Sequence, residues 1–204
     1  MLEVTALSCT RGERNLFADL SFGLSPGIAL RVRGDNGSGK TSLLRILAGL
    51  AGAASGEVRW NGSLIRDLGE EFLTKMVFVG HANALKDDLT AVENLRFALA
   101  LSGIAVTEPA CRSALAEDGL ERIADLPVQW LSQGQKRRVA LTRLAFCGSR
   151  PLWILDEPFS ALDGDAVARL AKRLQRHVGD GGTVVLTTHQ EVELGFATQG
   201  LELH

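Results

Sequence analysis

The stretch IALRVRGDNGSGKTSLLRILAGL, residues 28–50, joins an apolar strand to a helix through a glycine-rich turn. Within it GDNGSGKT, Gly34 to Thr41, fits the pattern G-x-x-x-x-G-K-[ST]. Glycines at these positions let backbone N–H groups wrap around a phosphate, while Lys40 reaches the β- and γ-phosphates and the Thr41 hydroxyl binds Mg²⁺. We therefore predict a site for a nucleoside triphosphate. The residues predicted to bind it here are Gly34, Asp35, Asn36, Gly37, Ser38, Gly39, Lys40, Thr41 and Ser42.

An acidic pair follows the apolar run LWIL at residues 152–155. Asp156 ends this predicted strand, where its carboxylate could hold Mg²⁺ through water. Glu157, one residue further on, could orient or deprotonate an attacking water. The alternative for Asp156 is a purely structural role as the cap of the next helix. With the glycine-rich loop present, we favour the metal and water roles.

A histidine follows the second apolar strand, TVVLTT. Strands that lie parallel in one sheet end at the same edge, so His189 could touch the γ-phosphate there. We expect His177, on a helix face, and His204, at the terminus, to be structural. The predicted catalytic residues are Lys40, Glu157 and His189.

A second helix start lies in WLSQGQKRRVALTRL, residues 130–144. Ser132 stands at the N-cap position, and apolar residues follow at helical spacing. Such an N-terminus offers N–H groups to an anion, whereas Lys136, Arg137 and Arg138 crowd turns where cations are disfavoured. We expect an anionic guest to relieve this crowding. The alternative is an ordinary capped helix.

Composition limits the classes of protein that fit. The chain has 204 residues, 46% of them hydrophobic, and a formal net charge of −2, which suits one soluble domain and gives no reason to expect nucleic-acid binding. Cys9, Cys111 and Cys147 have no metal-ligand spacing and indicate a reducing compartment. No signal-peptide pattern begins the chain, and no run approaches the ~20 apolar residues of a membrane span. A span, if one is needed, must come from another chain.

Strands that alternate with helices predict an α/β fold with a mostly parallel sheet. We expect one domain over residues 1–204, with an antiparallel β lobe within 1–33 and 56–66 and a helical lobe at about 85–147. The β lobe includes a hairpin that turns at Asn61-Gly62. In the helical lobe, Thr90 and Glu93 predict a capping box at the start of a helix. A short helix and a final strand are predicted to end the chain.

These segments, in this order, resemble the ABC-type ATPase domain over essentially the whole chain. GDNGSGKT is similar to its Walker A motif, LSQGQ (131–135) to its signature motif, LWILDE to its Walker B motif, SALD (160–163) to its D-loop, and His189 to its switch histidine. The resemblance implies a P-loop NTPase fold, ATP and Mg²⁺ as cofactors, and ATP hydrolysis. It also implies a homodimer in which the signature of one copy contacts the nucleotide on the Walker A of the other. The residues that it adds to the nucleotide site are Ser132, Gly134, Gln135 and Asp163.

Two positions depart from the family pattern. An aromatic residue, usually tyrosine, stacks on adenine in the family, but this chain has no tyrosine. Arg11 aligns near that position and could lie flat on the base, or it is a solvated turn residue; Phe17 is a weaker candidate. The family's Q-loop glutamine is replaced by His81, whose imidazole could reach Mg²⁺ or its water.

Within the family, VGH (79–81), TAVENLRF (90–97) and the opening SCTRGERNLF (8–17) resemble the ATP-binding subunit of bacterial haem exporters of cytochrome c maturation. This implies integral membrane subunits as partners, a peripheral position on the cytoplasmic side of the inner membrane, and export of haem or release of a haem-loaded chaperone. We expect no direct haem binding, because no C-x-x-C-H context is present. Residues 82–96 are the candidate contact with the membrane partner, or else a loop and an ordinary capped helix.

Other functions fit the motifs less well. A rival within the family is export of another substrate, such as a lipid or drug. A DNA-repair or chromosome ATPase of the same superfamily would carry a long coiled coil between Walker A and signature, but the intervening segment has no sustained heptads. A small-molecule kinase would leave LSQGQ and SALD without a role.

Overall fold

Two sheets and seven α-helices make up the part of the chain that the computed structural model describes, residues 1–12, 14–190 and 192–203. The strands are β1 (Leu2–Arg11), β2 (Arg14–Leu24), β3 (Ala29–Gly34), β4 (Ser55–Trp60), β5 (Ser63–Leu64), β6 (Met76–Val79), β7 (Leu152–Leu155), β8 (Thr183–Thr187) and β9 (Thr198–Leu203). The helices are α1 (Lys40–Leu47), α2 (Ile65–Leu68), α3 (Glu70–Lys75), α4 (Ala91–Leu101), α5 (Glu108–Glu117), α6 (Gln133–Thr142) and α7 (Gly164–Gly179). Short 3-10 helices cover Glu121–Ile123, Val128–Trp130 and Arg143–Phe146.

A five-stranded parallel sheet in the order β6-β7-β8-β3-β9 positions the predicted site. Every residue of β7 and β8 is buried, as expected for strands covered on both faces. Because the strands are parallel, β3, β7 and β8 end at the same edge of the sheet. The chain leaves that edge into the glycine-rich loop after β3, into Asp156 after β7 and towards His189 after β8. The predicted α/β fold with a parallel sheet is confirmed.

The second sheet is antiparallel, with the order β2-β1-β4-β5. Asn61 and Gly62 both have positive φ, 50° and 84°, so the predicted tight hairpin turn joins β4 to β5. This sheet takes its strands from residues 2–11, 14–24, 55–60 and 63–64, whereas β3, which falls within the range 1–33, belongs to the parallel sheet. Helix α1 packs between the two sheets, and its buried leucines belong to the core shared by both.

The helical lobe connects β6 to β7 and has a hydrophobic core of its own. Helix α4 begins where the sequence predicts a capping box. The Thr90 side chain accepts a hydrogen bond from the Glu93 amide, and the Glu93 carboxylate accepts one from the Thr90 amide at 2.8 Å. Helices α5 and α6 pack their apolar faces against α4. The lobe thus presents α6 to the parallel sheet as part of a separately packed unit.

Some expectations fail in detail. The short helix predicted before the last strand is absent from the described residues 188–190 and 192–197, where the chain is irregular. Helices α2 and α3 were not predicted from the sequence, because segments of four and six residues are too short to show a helical period. Within the described residues no helix combines the length and apolar character that crossing a bilayer requires.

The predicted structural residues lie in the core. All three cysteines are buried free thiols. His177 stacks on Trp153 with ring centroids 3.9 Å apart and an interplanar angle of 7°, which agrees with a structural role. Burial lowers the pKa of His177 to about 4, so the imidazole is neutral at neutral pH. His204 lies outside the described residues.

Candidate functional site

The glycine-rich loop after β3 adopts a backbone that most residues cannot. Gly34, Gly37 and Gly39 have φ values of 139°, 85° and 100°. Gly39 is the N-cap of α1 and has no side chain with which to satisfy the first amides of the helix. The Lys40 ammonium folds back over the loop and donates to the carbonyl oxygens of Gly34 and Asp35 at 2.7 and 2.9 Å. The loop therefore leaves amide donors and one cation for a phosphate group.

Asp156 directly follows β7 and is only 2% exposed. Its two carboxylate oxygens accept hydrogen bonds from the hydroxyls of Thr41 and Thr187, both at 2.8 Å. Octahedral Mg²⁺ holds oxygen ligands about 3 Å from each other, so the close approach of Thr41 and Asp156 fits this ion. Across the described residues, no group of three or more His, Cys, Asp and Glu could hold a metal.

Glu157 has a left-handed backbone, with φ at 49°. Its Oε2 accepts a hydrogen bond from the His189 amide at 3.3 Å. The His189 Nε2 lies 3.3 Å from the buried Oε1 but out of line for a hydrogen bond, and no described residue donates to that oxygen. A carboxylate oxygen buried without a donor is a place for a water molecule. Glu157 and His189 are thus held together where a nucleophilic water could be oriented.

One cavity of about 510 Å³ collects most of the predicted site. Arg11 lies on its rim, which keeps it available to a base, whereas Phe17 is 8% exposed and packs in the core shared by the two sheets. Phe17 therefore serves the core instead of offering its ring to the cavity. The predicted residues that line the cavity are Arg11, Asn36, Gly37, Gly39, Lys40, Thr41, Ser42, His81, Asp156, Glu157 and His189.

The signature segment lies apart from this lining. Ser132 caps α6, as predicted: its hydroxyl accepts from the Gln135 amide at 3.2 Å, and the Gln135 side chain accepts from the Ser132 amide at 2.8 Å. A Cβ atom on Gly134 would lie 2.6 Å from the Ala161 carbonyl oxygen, so the D-loop packs directly on this glycine. None of these three signature residues lines the cavity that holds Lys40.

The cations that follow Ser132 have partners within the chain. Lys136 pairs with Asp87 at 3.4 Å, and Arg138 lies 3.9 Å from Asp163. Arg137 is 3% exposed and donates only to neutral oxygen atoms. These partners already offset the cations in the isolated chain, and relief by an anionic guest stays a prediction.

The surroundings of Arg137 shift its pKa, and Asp163, the aspartate of the D-loop, caps a helix. Burial lowers the pKa of Arg137, and the nearby Asp156 carboxylate opposes that shift. Asp163 is the N-cap of α7 and accepts a hydrogen bond from the Ala166 amide at 2.8 Å, so it has a structural task besides its predicted place at the nucleotide.

Sequence reasoning missed three residues of the site. Thr187 ends β8 and joins the two acidic residues, since its hydroxyl donates to Asp156 and accepts from the Glu157 amide at 2.8 Å. Ser160 and Gln190 line the cavity. A hydroxyl at the end of an otherwise apolar strand was the available signal for Thr187.

The segment after β6 is held in place by one buried amide. Asn94, on α4, exchanges hydrogen bonds with both backbone groups of Lys86 at 2.7 and 2.9 Å and donates to the Leu89 carbonyl at 3.0 Å. Phe97 remains 41% exposed on the same helix. The candidate contact region, residues 82–96, therefore has a fixed backbone beside an exposed aromatic ring.

Comparisons with known proteins agree with this geometry. Residues 17–160 match the family described as ABC transporter. The chain is 50% identical over 203 residues to a cytochrome c biogenesis ATP-binding export protein CcmA of Nitrosospira multiformis, covering 99% of this chain and 98% of the relative. The protein of the same name from Aromatoleum aromaticum is 51% identical, with coverage of 100% and 95%.

Solved structures with the same fold include an ATP-binding subunit of an ABC transporter. It superposes with a TM-score of 0.87 at 28% identity, over 100% of this chain and 86% of that one. A second is an ATP-binding cassette in a dimeric post-hydrolysis state bound to ADP and Pi, with a TM-score of 0.80, 27% identity, and coverage of 93% and 88%.

Proposed function

This chain belongs to the ABC transporter family, and from that premise we propose that it drives a haem-handling membrane complex of bacterial cytochrome c maturation. The chain is an ABC-type ATPase. The observation that carries the finer proposal is the full-length likeness to cytochrome c biogenesis export proteins, at about half identity. The cavity supplies the chemistry that such a subunit needs, because it joins a phosphate loop to a carboxylate beside a histidine.

ATP binds through the loop after β3. The α1 amides and the Lys40 ammonium neutralise the phosphate oxygens, and Lys40 exchanges its two backbone carbonyl partners for them. Arg11 on the cavity rim lies against the base. Binding energy at the triphosphate thus comes from the loop amides and from Lys40, while the base adds a smaller contact.

Thr41 and Asp156 would hold Mg²⁺. The ion would neutralise charge on the β- and γ-phosphates as the bond between them breaks. Thr187 keeps the Asp156 carboxylate fixed by its 2.8 Å hydrogen bond, so this carboxylate stays oriented towards Thr41. His81 lines the same cavity and faces the site from the segment after β6.

Glu157 orients the attacking water and takes its proton, while His189 lies beside the γ-phosphate. The free Oε1 of Glu157 is the acceptor for that water. Glu157→Gln should keep the shape of the site, bind ATP with parental affinity and lower kcat by about 10²–10⁴-fold. The variant should accumulate as an ATP-bound dimer in size-exclusion chromatography. Parental turnover by this variant would remove Glu157 from the mechanism.

Two copies close around two nucleotides. Ser132, Gly134 and Gln135 are not part of the lining of their own chain's cavity. In a symmetric dimer they meet the γ-phosphate held by the other copy. ATP favours the closed state because it gains contacts from both chains there. Hydrolysis removes those contacts, and the dimer opens.

Residues 82–96 transmit this motion to integral membrane subunits, which hold the chain peripherally on the cytoplasmic face of the inner membrane. The test is to purify the tagged chain from native membranes and identify the proteins that accompany it. The recovered complex should hydrolyse ATP faster when haem is supplied than when a lipid or drug substrate is supplied. Stimulation by a lipid or drug alone would assign the chain to an exporter of another substrate.

A further inference from the structure

A row of three arginines covers the free edge of the parallel sheet. β6 is the edge strand, and its outward carbonyl groups belong to alternate residues because side chains and carbonyls alternate along a strand. Arg150 donates to the Met76 carbonyl at 2.8 Å, and Arg143 donates to the Phe78 carbonyl. Continuing the same row, Arg137 donates to the Gly80 carbonyl at 2.9 Å. Hydrogen bonds from these three arginines thereby connect the segment that begins with α6 to β6 along the whole strand.

Arg137 differs from the other two in what else it holds. Its Nη2 donates to the carbonyl oxygens of Asp156 and Glu157 at 2.7 and 2.9 Å. Its Nη1, which donates to Gly80, also donates to the Asn83 side chain at 3.2 Å. Four hydrogen bonds from one planar guanidinium join two segments of chain, the one after β6 and the one after β7, to α6. Within the part of the chain that the structure describes, Arg143 and Arg150 donate no hydrogen bond to either acidic residue.

The backbone of Glu157 needs such support. Its φ of 49° is a conformation that a glutamate adopts only when its surroundings impose it. The Glu157 amide donates to the Thr187 hydroxyl at 2.8 Å, and its carbonyl accepts from Arg137 at 2.9 Å and from the Ser160 amide at 3.1 Å. Removing the guanidinium would leave this carbonyl, among the described residues, to the Ser160 amide, and would let the carboxylate move away from the water position.

The position of Arg137 in α6 gives this contact a further consequence. The helix begins at the Ser132 cap and carries Arg137 in its second turn. Its first turn serves the nucleotide of the other copy, whereas Arg137 contacts the residues that act on this chain's own nucleotide. We propose that Arg137 is a positioning residue for hydrolysis, which holds Glu157 and the segment carrying His81 in register with the signature helix. This inference rests on the proposed ATPase function and adds to it the link between the two sites.

The test compares Arg137→Met with Arg143→Met in the full-length chain. Both substitutions remove a guanidinium of the same row, but only the first removes contacts with the acidic pair. For Arg137→Met we expect kcat to fall by at least about tenfold while the Kd for MgATP stays within about twofold. For Arg143→Met, kcat per folded molecule should stay near that of the parent. The folded fraction is measured by thermal unfolding in parallel.

If Arg137→Met does not fold, Arg137→Lys tests the positioning role of Arg137 instead. A lysine keeps the charge but cannot reach four oxygen atoms from one planar group, so kcat should again fall with affinity unchanged. Parental kcat in whichever variant folds would overturn the inference, as would an equal loss of kcat in Arg143→Met. Failure of the parent itself to hydrolyse ATP would instead overturn the proposed function.

Discussion

The N-terminal ends of α1 and α6, both of which we propose to contact phosphate, are built in opposite ways. Helix α1 begins after Gly39, which has no side chain to occupy the first amides. Helix α6 begins after Ser132, whose capping box with Gln135 satisfies two backbone donors. The open end lies in the cavity with Lys40, and the capped end lies outside it. An uncapped helix end can bind a phosphate by itself, whereas a self-capped end offers less and needs a ligand already held by another surface.

The cations near the two ends differ in the same way. Lys40 is held only by two carbonyl oxygens of its own loop, which a phosphate can replace. Near α6, Lys136 and Arg138 face carboxylates, and Arg137 is buried in hydrogen bonds to backbone. The positive charge of the first end is therefore free for ATP, while that of the second end maintains the fold. The predictions below test this contrast.

The largest effect is expected from Lys40. Lys40→Ala removes a charge-assisted contact that contributes roughly 1.5–3 kcal/mol, so the Kd for ATP should rise by about 10- to 100-fold. Lys136→Ala is the matched control, and it should leave the Kd within about twofold because Lys136 pairs with Asp87. Direct titration of the monomeric chain measures both. Equal losses in the two variants would erase the distinction between the helix ends.

A smaller effect is expected where the D-loop touches the second end. In Gly134→Ala the added Cβ meets the Ala161 carbonyl at 2.6 Å, so the D-loop must move, at about 1–3 kcal/mol. ATP affinity of the monomer should not change, but hydrolysis by the dimer should fall. Gly164→Ala is the control, because open space surrounds that position. Unchanged hydrolysis in Gly134→Ala would show that the contact between the D-loop and the signature does not affect hydrolysis.

The pKa of His177 makes the stability of the folded chain depend on pH. The pKa of this buried imidazole is lowered to about 4 from 6.5, so the unfolded chain binds a proton that the folded chain excludes between those values. Stability should therefore fall as pH decreases through this window, by about 1.4 kcal/mol per pH unit from this group. Urea unfolding at pH 5 and 7.5 measures the effect, and His177→Leu should reduce it. An unchanged pH dependence in that variant would refute the assignment.

The smallest effect separates capping from contact with nucleotide. Ser132→Ala and Thr90→Ala each remove the hydroxyl of a capping box in the helical lobe, and each should cost about 1 kcal/mol of stability. Only Ser132→Ala should also slow ATP hydrolysis by the dimer. If both variants hydrolyse ATP equally well, Ser132 has no role beyond its cap.

Local patterns in the sequence were sufficient for much of the fold. The glycine-rich loop, the Asn61-Gly62 turn and the Thr90 capping box each depend on neighbouring residues, and the structure confirms all three. Parallel strands could be predicted because apolar runs alternate with helices. The glycine-rich loop after β3, Asp156 after β7 and His189 after β8 could then be placed at one edge of the sheet.

What the sequence could not provide depends on contacts between distant segments. Arg137 stands in the sequence between two charged residues, of a kind usually found at the surface. Its burial against Gly80 and Asp156 follows only from how the helical lobe packs on β6. Phe17 likewise reads as a possible base-stacking ring until the packing of both sheets around it is known. The sequence also did not reveal that Lys136 and Arg138 of α6 already have acidic partners, because Asp87 and Asp163 lie elsewhere in the chain.

The central claim is that each nucleotide is held by the Walker A loop of one copy and the signature of the other. Mixed dimers that carry Lys40→Ala and Ser132→Arg test it most directly. With the two substitutions on opposite copies, one site combines both defects and the other stays intact, so about half of the parental ATPase rate should remain. With both on one copy, each site has one defect and the rate should be lost. The reverse outcome, half activity only when both changes share a copy, would contradict the account.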